Sequence, residues 1–163
     1  MGFGCWAISQ ELFDWLDANV KHGSTILELG SGKGTAELVK LWEVYSVEHD
    51  LEWVGKVKGS HYLHAPLVDG WYHPNKVNSL IKQIDCDVVI IDGPPSAQGR
   101  GNFIRHMGLF NPAVPWVFDD MHRLPDLRSA AKVAKARDAQ LVLHQCADGK
   151  EFGVIAADHR LPT

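Results

Sequence analysis

The sequence predicts an α/β domain with a seven-stranded, mostly parallel sheet, helices on both faces and an antiparallel hairpin near the C-terminus. Three observations predict this fold. Short apolar or β-branched runs alternate with helical patterns along most of the chain, which is typical of parallel sheets. The run Cys86–Ile91 is almost continuously apolar, as in a strand buried on both faces. Asp148-Gly149 lies between the last two runs and is a strong hairpin signal.

The first half of the chain supplies three strand patterns. Ser9 is placed to cap a helix whose apolar residues recur at helical spacing. The later run at Glu43–Glu48 is rich in β-branched and aromatic residues, which favours a strand. In order, we predict a helix at Ser9–Val20, a strand from Ile26, a helix at Thr35–Leu41, strands at Glu43–Glu48 and Ser60–His64, and a short helix between these two strands at Leu51–Val57.

The second half continues the alternation after an irregular loop. Residues 65–74 contain two prolines and a glycine, so we expect neither helix nor strand there. The next helices and strands follow in pairs. They are a helix at Lys76–Ile84, a strand at Cys86–Ile91, a helix with three glycines at Gln98–Phe110, a strand at Ala113–Asp120, a surface helix at Pro125–Arg137, and strands at Gln140–Gln145 and Phe152–Ala156.

Length and composition indicate one globular domain. The chain has 163 residues, of which 45% are hydrophobic and 22% charged, so we expect a single domain over residues 1–163. The formal net charge of −4 and the absence of a dense basic run argue against a nucleic-acid partner. No apolar run is long enough to span a membrane and no signal pattern opens the chain, so we expect a cytoplasmic protein without a membrane partner. The widely spaced Cys5, Cys86 and Cys146 indicate reduced thiols.

A glycine-rich bend follows the first predicted strand. Glycine backbone can take positive φ and approach a ligand closely, and the amides that open the next helix point at that ligand. This arrangement predicts a binding loop between a strand and a helix. Its glycines are Gly30, Gly32 and Gly34.

This loop differs from the dinucleotide-binding fingerprint. That fingerprint has a third glycine for helix–strand packing, where this sequence has Thr35. Moreover, Glu28 precedes the first glycine by two residues, and a carboxylate there would repel a pyrophosphate but attract an ammonium group. We therefore do not expect a nicotinamide cofactor.

The stretch from Glu28 to Gly34 resembles the first motif of the class I S-adenosylmethionine-dependent methyltransferases. The resemblance implies that Glu28 contacts the amino group of the cofactor, directly or through water. It also implies that the loop lines the methionine and ribose part of the cofactor. The expected loop contacts are Gly30, Ser31, Gly32 and Gly34. A tight turn without a ligand is the alternative.

Glu48 ends the second predicted strand, and this position supports the same cofactor. In nucleoside-binding parallel sheets, an acid about 20 residues after the glycines accepts hydrogen bonds from the ribose hydroxyls. A solvated acid at a strand end is the alternative. Glu28 and Glu48 together predict an S-adenosylmethionine site. We also assign His49, Ala65 and Asp92 to this site, with Ala65 beside the adenine.

Aromatic residues in two segments are candidate ligand contacts. The loop after the third strand carries Trp71, Tyr72 and His73, which we expect to project towards the acceptor substrate. A structural cap built from the same aromatic residues is the alternative. Near the N-terminus, Trp6 would either lie across the cofactor or fill the edge of the core.

Three acids are expected to converge where the fourth and fifth parallel strands end. Asp92, Asp119 and Asp120 would repel one another unless a cation lies among them. This edge resembles that of the catechol-type and macrocin-type O-methyltransferases. The resemblance implies that these acids hold Mg²⁺ or another divalent ion, which anchors the acceptor hydroxyl and lowers its pKa. Acids with a structural or hydrogen-bonding role are the alternative.

The match to the catechol type is incomplete. That type has a catalytic lysine three residues after its first metal aspartate, and this chain has Pro95 there. Without a metal, His122 is the best candidate base, because an imidazole titrates near neutral pH and lies two residues beyond the acids. A histidine that only caps the loop is the alternative. The candidate catalytic residues are Asp92, Asp120 and His122.

The sequence predicts a methyltransferase that uses S-adenosylmethionine to methylate an oxygen of a small hydroxylated acceptor. One alternative is a cofactor-binding protein that lacks catalysis or serves a larger enzyme. A nucleic-acid methyltransferase is less favoured. The run Asp92-Gly93-Pro94-Pro95-Ser96 resembles the Asp-Pro-Pro-aromatic motif of amino-methylating DNA enzymes, but a glycine is inserted and a serine replaces the aromatic residue. The oligomeric state stays open, with a homodimer as one option.

Overall fold

The computed structural model describes residues 8–157, which form nine strands and five α-helices, with short 3₁₀ turns between the sixth and seventh strands. The strands are β1 (Thr25–Leu29), β2 (Glu43–Glu48), β3 (Ser60–His64), β4 (Leu67–Val68), β5 (Trp71–Tyr72), β6 (Val88–Ile91), β7 (Trp116–Phe118), β8 (Leu141–Gln145) and β9 (Glu151–Ile155). The α-helices are α1 (Gln10–Asn19), α2 (Thr35–Leu38), α3 (Pro74–Ile81), α4 (Phe103–His106) and α5 (Leu124–Ala136). In this part of the chain, no helix has the length and apolar character needed to cross a membrane.

Seven strands form one mixed sheet, as the sequence predicts, and their order is β3-β2-β1-β6-β7-β9-β8. The first five run parallel, and β9 pairs antiparallel with both β7 and β8. Within the sheet, the chain passes from β1 outward through β2 to β3 and then returns to β6, which lies on the other side of β1. Open α/β sheets bind ligands where the strand order reverses in this way, outside the carboxyl ends of the strands.

The core lies on both faces of the sheet because the central strands are apolar on both faces. Along β1, Ile26 packs in one cluster with Leu12 and Leu16 of α1. The next residue, Leu27, packs in a second cluster that includes Val77 of α3. All five side chains are fully buried. Truncating Leu12 or Leu16 to alanine would cost about 2–5 kcal/mol of stability.

Several predicted elements are confirmed at or near their bounds. Ser9 caps α1, since its Oγ accepts a hydrogen bond of 3.1 Å from the Leu12 amide. Strands β2 and β3 have the predicted bounds, and β6 lies at the centre of the sheet. The final hairpin turns at the predicted Asp148-Gly149, where Gly149 has φ +84°. The helix predicted at Thr35–Leu41 is shorter, because α2 ends at Leu38.

The helix predicted at Leu51–Val57 is wrong, because this segment forms hydrogen-bonded turns. The Trp53 amide donates to Asp50 O at 3.0 Å, a turn that does not continue as a helix. Gly55 has φ +78°, which interrupts helical backbone. Leu51 is 68% exposed, so little burial supports a helix this short.

The loop predicted at residues 65–74 contains a small hairpin instead. Strands β4 and β5 pair antiparallel across Asp69 and Gly70. These two residues have φ +51° and +76°, as the central residues of a tight hairpin turn require. The overlooked signal is the Asp-Gly pair itself. The hairpin turns Trp71 and Tyr72 into the core.

The single helix predicted at Gln98–Phe110 is also wrong. This segment consists of 3₁₀ turns around the one-turn helix α4. The break falls at Gly99, which has φ +127°. A side chain at Gly99 would overlap Gly70 O, so the backbone of this segment packs directly on the β4–β5 hairpin. This contact fixes the position of the next residue, Arg100.

Candidate functional site

The candidate site lies at the carboxyl edge of the sheet, where the loops after β1, β2, β6 and β7 meet. Gly30 makes the closest approach between these loops. Its φ is +91°, and a Cβ there would lie 3.0 Å from both N and Cα of Gly93, the second residue after β6. A side chain at either glycine would therefore force the two loops apart. In this structure the close neighbour of Gly30 is another loop, and the predicted approach of these glycines to a ligand stays a prediction.

The rest of the glycine-rich loop is held by short contacts. Gly34 has helical backbone with φ −63°, but a Cβ there would lie 2.8 Å from Ile8 Cγ1. Position 34 therefore requires glycine because of packing against Ile8, and not because of its backbone conformation. The Gly32 amide donates to Thr35 Oγ1 at 3.1 Å. The Ser31 hydroxyl lies 2.8 Å from the Tyr62 hydroxyl, which attaches the loop to β3.

Glu28 lies beneath this loop and is only 2% exposed. Its carboxylate accepts hydrogen bonds from Thr35 Oγ1 at 3.0 and 2.9 Å and from Ser46 Oγ at 2.7 Å. Burial raises the pKa of Glu28 to about 7, while these hydrogen bonds oppose the rise. A nearby ammonium group would favour the ionised form. The predicted contact between Glu28 and a cofactor amine stays a prediction.

Glu48 joins the glycine-rich loop to the turn after β2. Its Oε2 accepts a hydrogen bond from the Ser31 amide at 3.0 Å. Its Oε1 accepts from the amides of His49 and Asp50 at 2.7 and 2.9 Å. A carboxylate offers about four lone-pair sites, so capacity remains for a ligand hydroxyl. Glu48 therefore lies where the sequence places the ribose contact, and that role stays a prediction.

Most of the residues assigned to the adenine and the acceptor lie in the core. Ala65 and Trp71 are fully buried, and the Trp71 ring stacks on His106 with centroids 4.2 Å apart. The expectation that Trp71 projects from a loop is therefore wrong, because the β4–β5 hairpin turns it inward. Ala65 likewise offers no exposed surface to an adenine in this conformation. His73, which is partly exposed, is the one of the three aromatic candidates that faces solvent.

Tyr72 is also fully buried, but its hydroxyl points into the candidate site. A Cβ on Gly93 would overlap this hydroxyl, so the hydroxyl lies against the contact between the two loops. The hydroxyl has no hydrogen-bond partner among residues 8–157. Burial and the nearby Glu48 and Asp92 raise the pKa of Tyr72 well above its ordinary value, so the phenol keeps its proton. An unpaired buried donor of this kind suits a ligand oxygen.

Asp92, Asp119 and Asp120 converge, as the sequence predicts. Each offers a carboxylate oxygen within 4.8 Å of the other two. Burial and Asp120 raise the pKa of Asp119 to about 6, and burial and Asp119 raise the pKa of Asp92 well above its ordinary value. Asp120 has φ +62°, a left-handed conformation that aspartate tolerates. The Asp119 Oδ1 accepts the Asp120 amide at 2.8 Å.

A buried arginine lies among these acids, and sequence reasoning assigned it no role. Arg100 is 6% exposed and places Nη1 3.0 Å from Asp120 Oδ2 and Nη2 3.4 Å from Asp92 Oδ1. The three acids are close enough to hold one divalent ion, and that role stays a prediction. The Arg100 guanidinium contacts one oxygen of Asp92 and one of Asp120. The only sequence signal is an arginine between two glycines, Gly99 and Gly101.

One predicted residue, His122, lies apart from the acidic cluster. His122 is exposed in the turn before α5, so its side chain does not lie among the buried acids. Its role as a base stays a prediction. Trp6 lies outside the described residues.

Comparison with solved structures shows that the chain has the fold of class I S-adenosylmethionine-dependent methyltransferases. An rRNA methylase from Streptococcus thermophilus matches 90% of this chain and 94% of its own, with 11% identity and a TM-score of 0.56. The methyltransferase MycE of the mycinamycin pathway, in complex with Mg, SAH and mycinamycin VI, matches 94% of this chain and 51% of its own, with 16% identity and a TM-score of 0.59.

The third similar structure is that of a methylase named for a protein substrate. The ribosomal protein L11 methylase from Lactobacillus delbrueckii subsp. bulgaricus matches 90% of this chain and 76% of its own, with 13% identity and a TM-score of 0.58. No protein-family model and no curated protein matches the chain by sequence. The likeness therefore defines the fold, and the acceptor has to be argued from the site.

Proposed function

We propose that this protein is an S-adenosylmethionine-dependent methyltransferase that methylates an oxygen of a small hydroxylated acceptor. One observation carries the cofactor part of the proposal. The acid at the end of β2, Glu48, is hydrogen-bonded at 3.0 Å to Ser31 of the glycine-rich loop, beside the Gly30–Gly93 contact. A carboxylate suited to accept hydrogen bonds from a nucleoside thus lies beside a close backbone approach, at the point where the strand order reverses.

The residues at this edge fit the cofactor. Glu48 would accept hydrogen bonds from the ribose hydroxyls, and Glu28 would favour the ammonium group once its carboxyl is ionised. The Tyr72 hydroxyl supplies a buried donor without a partner among the described residues. When bound, S-adenosylmethionine supplies an activated methyl group, so the protein contributes mainly alignment and exclusion of water.

Asp92 is the best candidate for contact with the acceptor. Its side chain is 24% exposed, whereas the side chain of Asp120 is 10% exposed and Asp119 is buried. Its backbone and one carboxylate oxygen face Arg100, which orients the other oxygen. In its ionised form, as the partner of Arg100, a carboxylate with a raised pKa is a stronger base and would accept a proton from a hydroxyl as methyl transfer proceeds.

The acceptor class rests on charge. A net charge of −4 disfavours RNA as a partner and is compatible with a sugar or phenol. A binding protein without catalysis is the second candidate. Burial of Trp71 and Tyr72 favours it, because these residues then offer no surface to an acceptor.

The test is a methyl-transfer assay with S-adenosylmethionine and a panel of sugars and phenols. We expect S-adenosylhomocysteine to accumulate with at least one acceptor, and Asp92→Asn to slow the reaction while leaving cofactor affinity within a few-fold. Cofactor binding without turnover on any acceptor would favour the binding protein. Failure to bind either S-adenosylmethionine or its product would overturn the proposal.

A further inference from the structure

We propose that Arg100, instead of a divalent metal ion, is the cation that holds Asp92 and Asp120 at the carboxyl edge, and that the site is metal-independent. Crowded buried carboxylates are stable only when a cation neutralises them or when they are protonated. Arg100 is the only lysine or arginine among residues 8–157 that is buried. The proposal concerns the carboxylate cluster itself, so it does not depend on the identity of the methyl acceptor.

The guanidinium of Arg100 uses all three of its nitrogens within the cluster. Nη1 donates to Asp120 Oδ2 at 3.0 Å, and Nε donates to Pro94 O at 3.2 Å. Nη2 donates to the backbone carbonyl of Asp92 and lies 3.4 Å from its Oδ1. Arg100 therefore fixes the backbone of Asp92 as well as its carboxylate, which makes it a positioning residue.

The same contacts compete with a metal ion. A divalent ion needs carboxylate oxygens at about 2.0–2.6 Å. Arg100 already engages one oxygen of each of two acids, Asp92 Oδ1 and Asp120 Oδ2. Asp120 Oδ2 also lies 2.9 Å from Arg123 Nη1, so two positive charges already share it. Asp126 Oδ2 of α5 lies 3.8 Å from the same Arg100 Nη1 and gives the guanidinium a further negative neighbour.

The backbone holds Arg100 in this position. Gly99, with φ +127°, packs on Gly70 O, and a Cβ at Gly101 would lie 3.0 Å from Ser129 Oγ of α5. The segment is thus clamped between the β4–β5 hairpin and α5. Displacing the guanidinium to admit a metal would require more than rotation of an exposed side chain, because the side chain is surrounded by these elements.

The test compares thermal unfolding of the wild type, Arg100→Gln and Arg123→Gln in EDTA and in excess Mn²⁺. Arg123 is the matched control, because it contacts the same Asp120 oxygen through a side chain that is 47% exposed. We expect the wild type to melt at the same temperature in both conditions. Arg100→Gln should melt below Arg123→Gln in EDTA, because it leaves buried carboxylates without their cation.

A metal at a hundredfold excess over its Kd would raise the melting temperature of a domain of this size by roughly 5–10 °C. Such a rise in the wild type, lost in Asp119→Asn, would overturn the proposal, as would an Arg100→Gln protein as stable as Arg123→Gln. If Arg100→Gln does not fold, electron paramagnetic resonance of Mn²⁺ with the wild type decides. Absence of a bound ion supports the proposal, and one bound ion that Asp119→Asn abolishes overturns it.

Discussion

Replacing Glu28 with glutamine should stabilise the protein at pH 8 and have little effect near pH 4.5. Burial raises the pKa of Glu28 from its ordinary 4.5 to about 7 in the folded protein. Between these values the folded protein retains a proton that the unfolded chain releases, so stability falls as pH rises and levels off above pH 7. A pKa change of this size corresponds to about 3 kcal/mol once the carboxyl is ionised. Glutamine keeps the shape and an acceptor for Thr35 and Ser46 without the charge.

The assay is urea unfolding of wild type and Glu28→Gln at several pH values between 4.5 and 8. The difference in unfolding free energy should grow with pH by about 3 kcal/mol and reach a plateau above pH 7. Glu52→Gln is the matched control, because Glu52 is exposed and should give no such trend. A Glu28→Gln protein that is equally or less stable than the wild type at pH 8 would refute the reasoning.

Three further substitutions test the loops around the site. Glu48→Ala should weaken S-adenosylhomocysteine binding by about 1.5–3 kcal/mol in calorimetry, the usual contribution of hydrogen bonds to a charged group, and unchanged affinity would exclude the ribose contact. Tyr72→Phe should leave thermal stability unchanged or higher, since its hydroxyl has no partner in the described chain; a loss above 1 kcal/mol would show a hidden partner. Gly93→Ala should cost about 1–3 kcal/mol, because its Cβ would lie 2.9 Å from Gly30 Cα. Gly108→Ala is the control and should not lower stability in this way, because the space around its Cβ is open. Equal losses of stability in the two variants would contradict the close approach of Gly93 to Gly30.

The strands of the seven-stranded sheet were predictable because each carries its own signal. The run Glu43–Glu48 is β-branched and aromatic, and the observed β2 has the same bounds. The apolar residues before Asp92 likewise predict the central β6. Such runs need no distant partner to be recognised, whereas the short helix predicted at Leu51–Val57 depended on burial that Leu51 does not have.

The site was predictable only in part, for a related reason. Strand-end positions place Glu48 and the three aspartates at one edge, since parallel strands end together. The contact of Arg100 with Asp120 joins residues 20 positions apart. It depends on packing of the Arg100 segment between the β4–β5 hairpin and α5. No period or local motif encodes that contact. Similarly, the inward turn of Trp71 follows from the Asp69-Gly70 hairpin, which the surrounding prolines obscure.

Calorimetric titration of the wild-type protein with S-adenosylhomocysteine tests the central claim most directly, with NADH as the comparison ligand. We expect one binding site for S-adenosylhomocysteine and no binding heat for NADH, since Thr35 replaces the third glycine of the dinucleotide fingerprint and Glu28 disfavours a pyrophosphate. The opposite pattern, with no heat for S-adenosylhomocysteine at high protein concentration and clear binding of NADH, would contradict the assignment of this edge to S-adenosylmethionine.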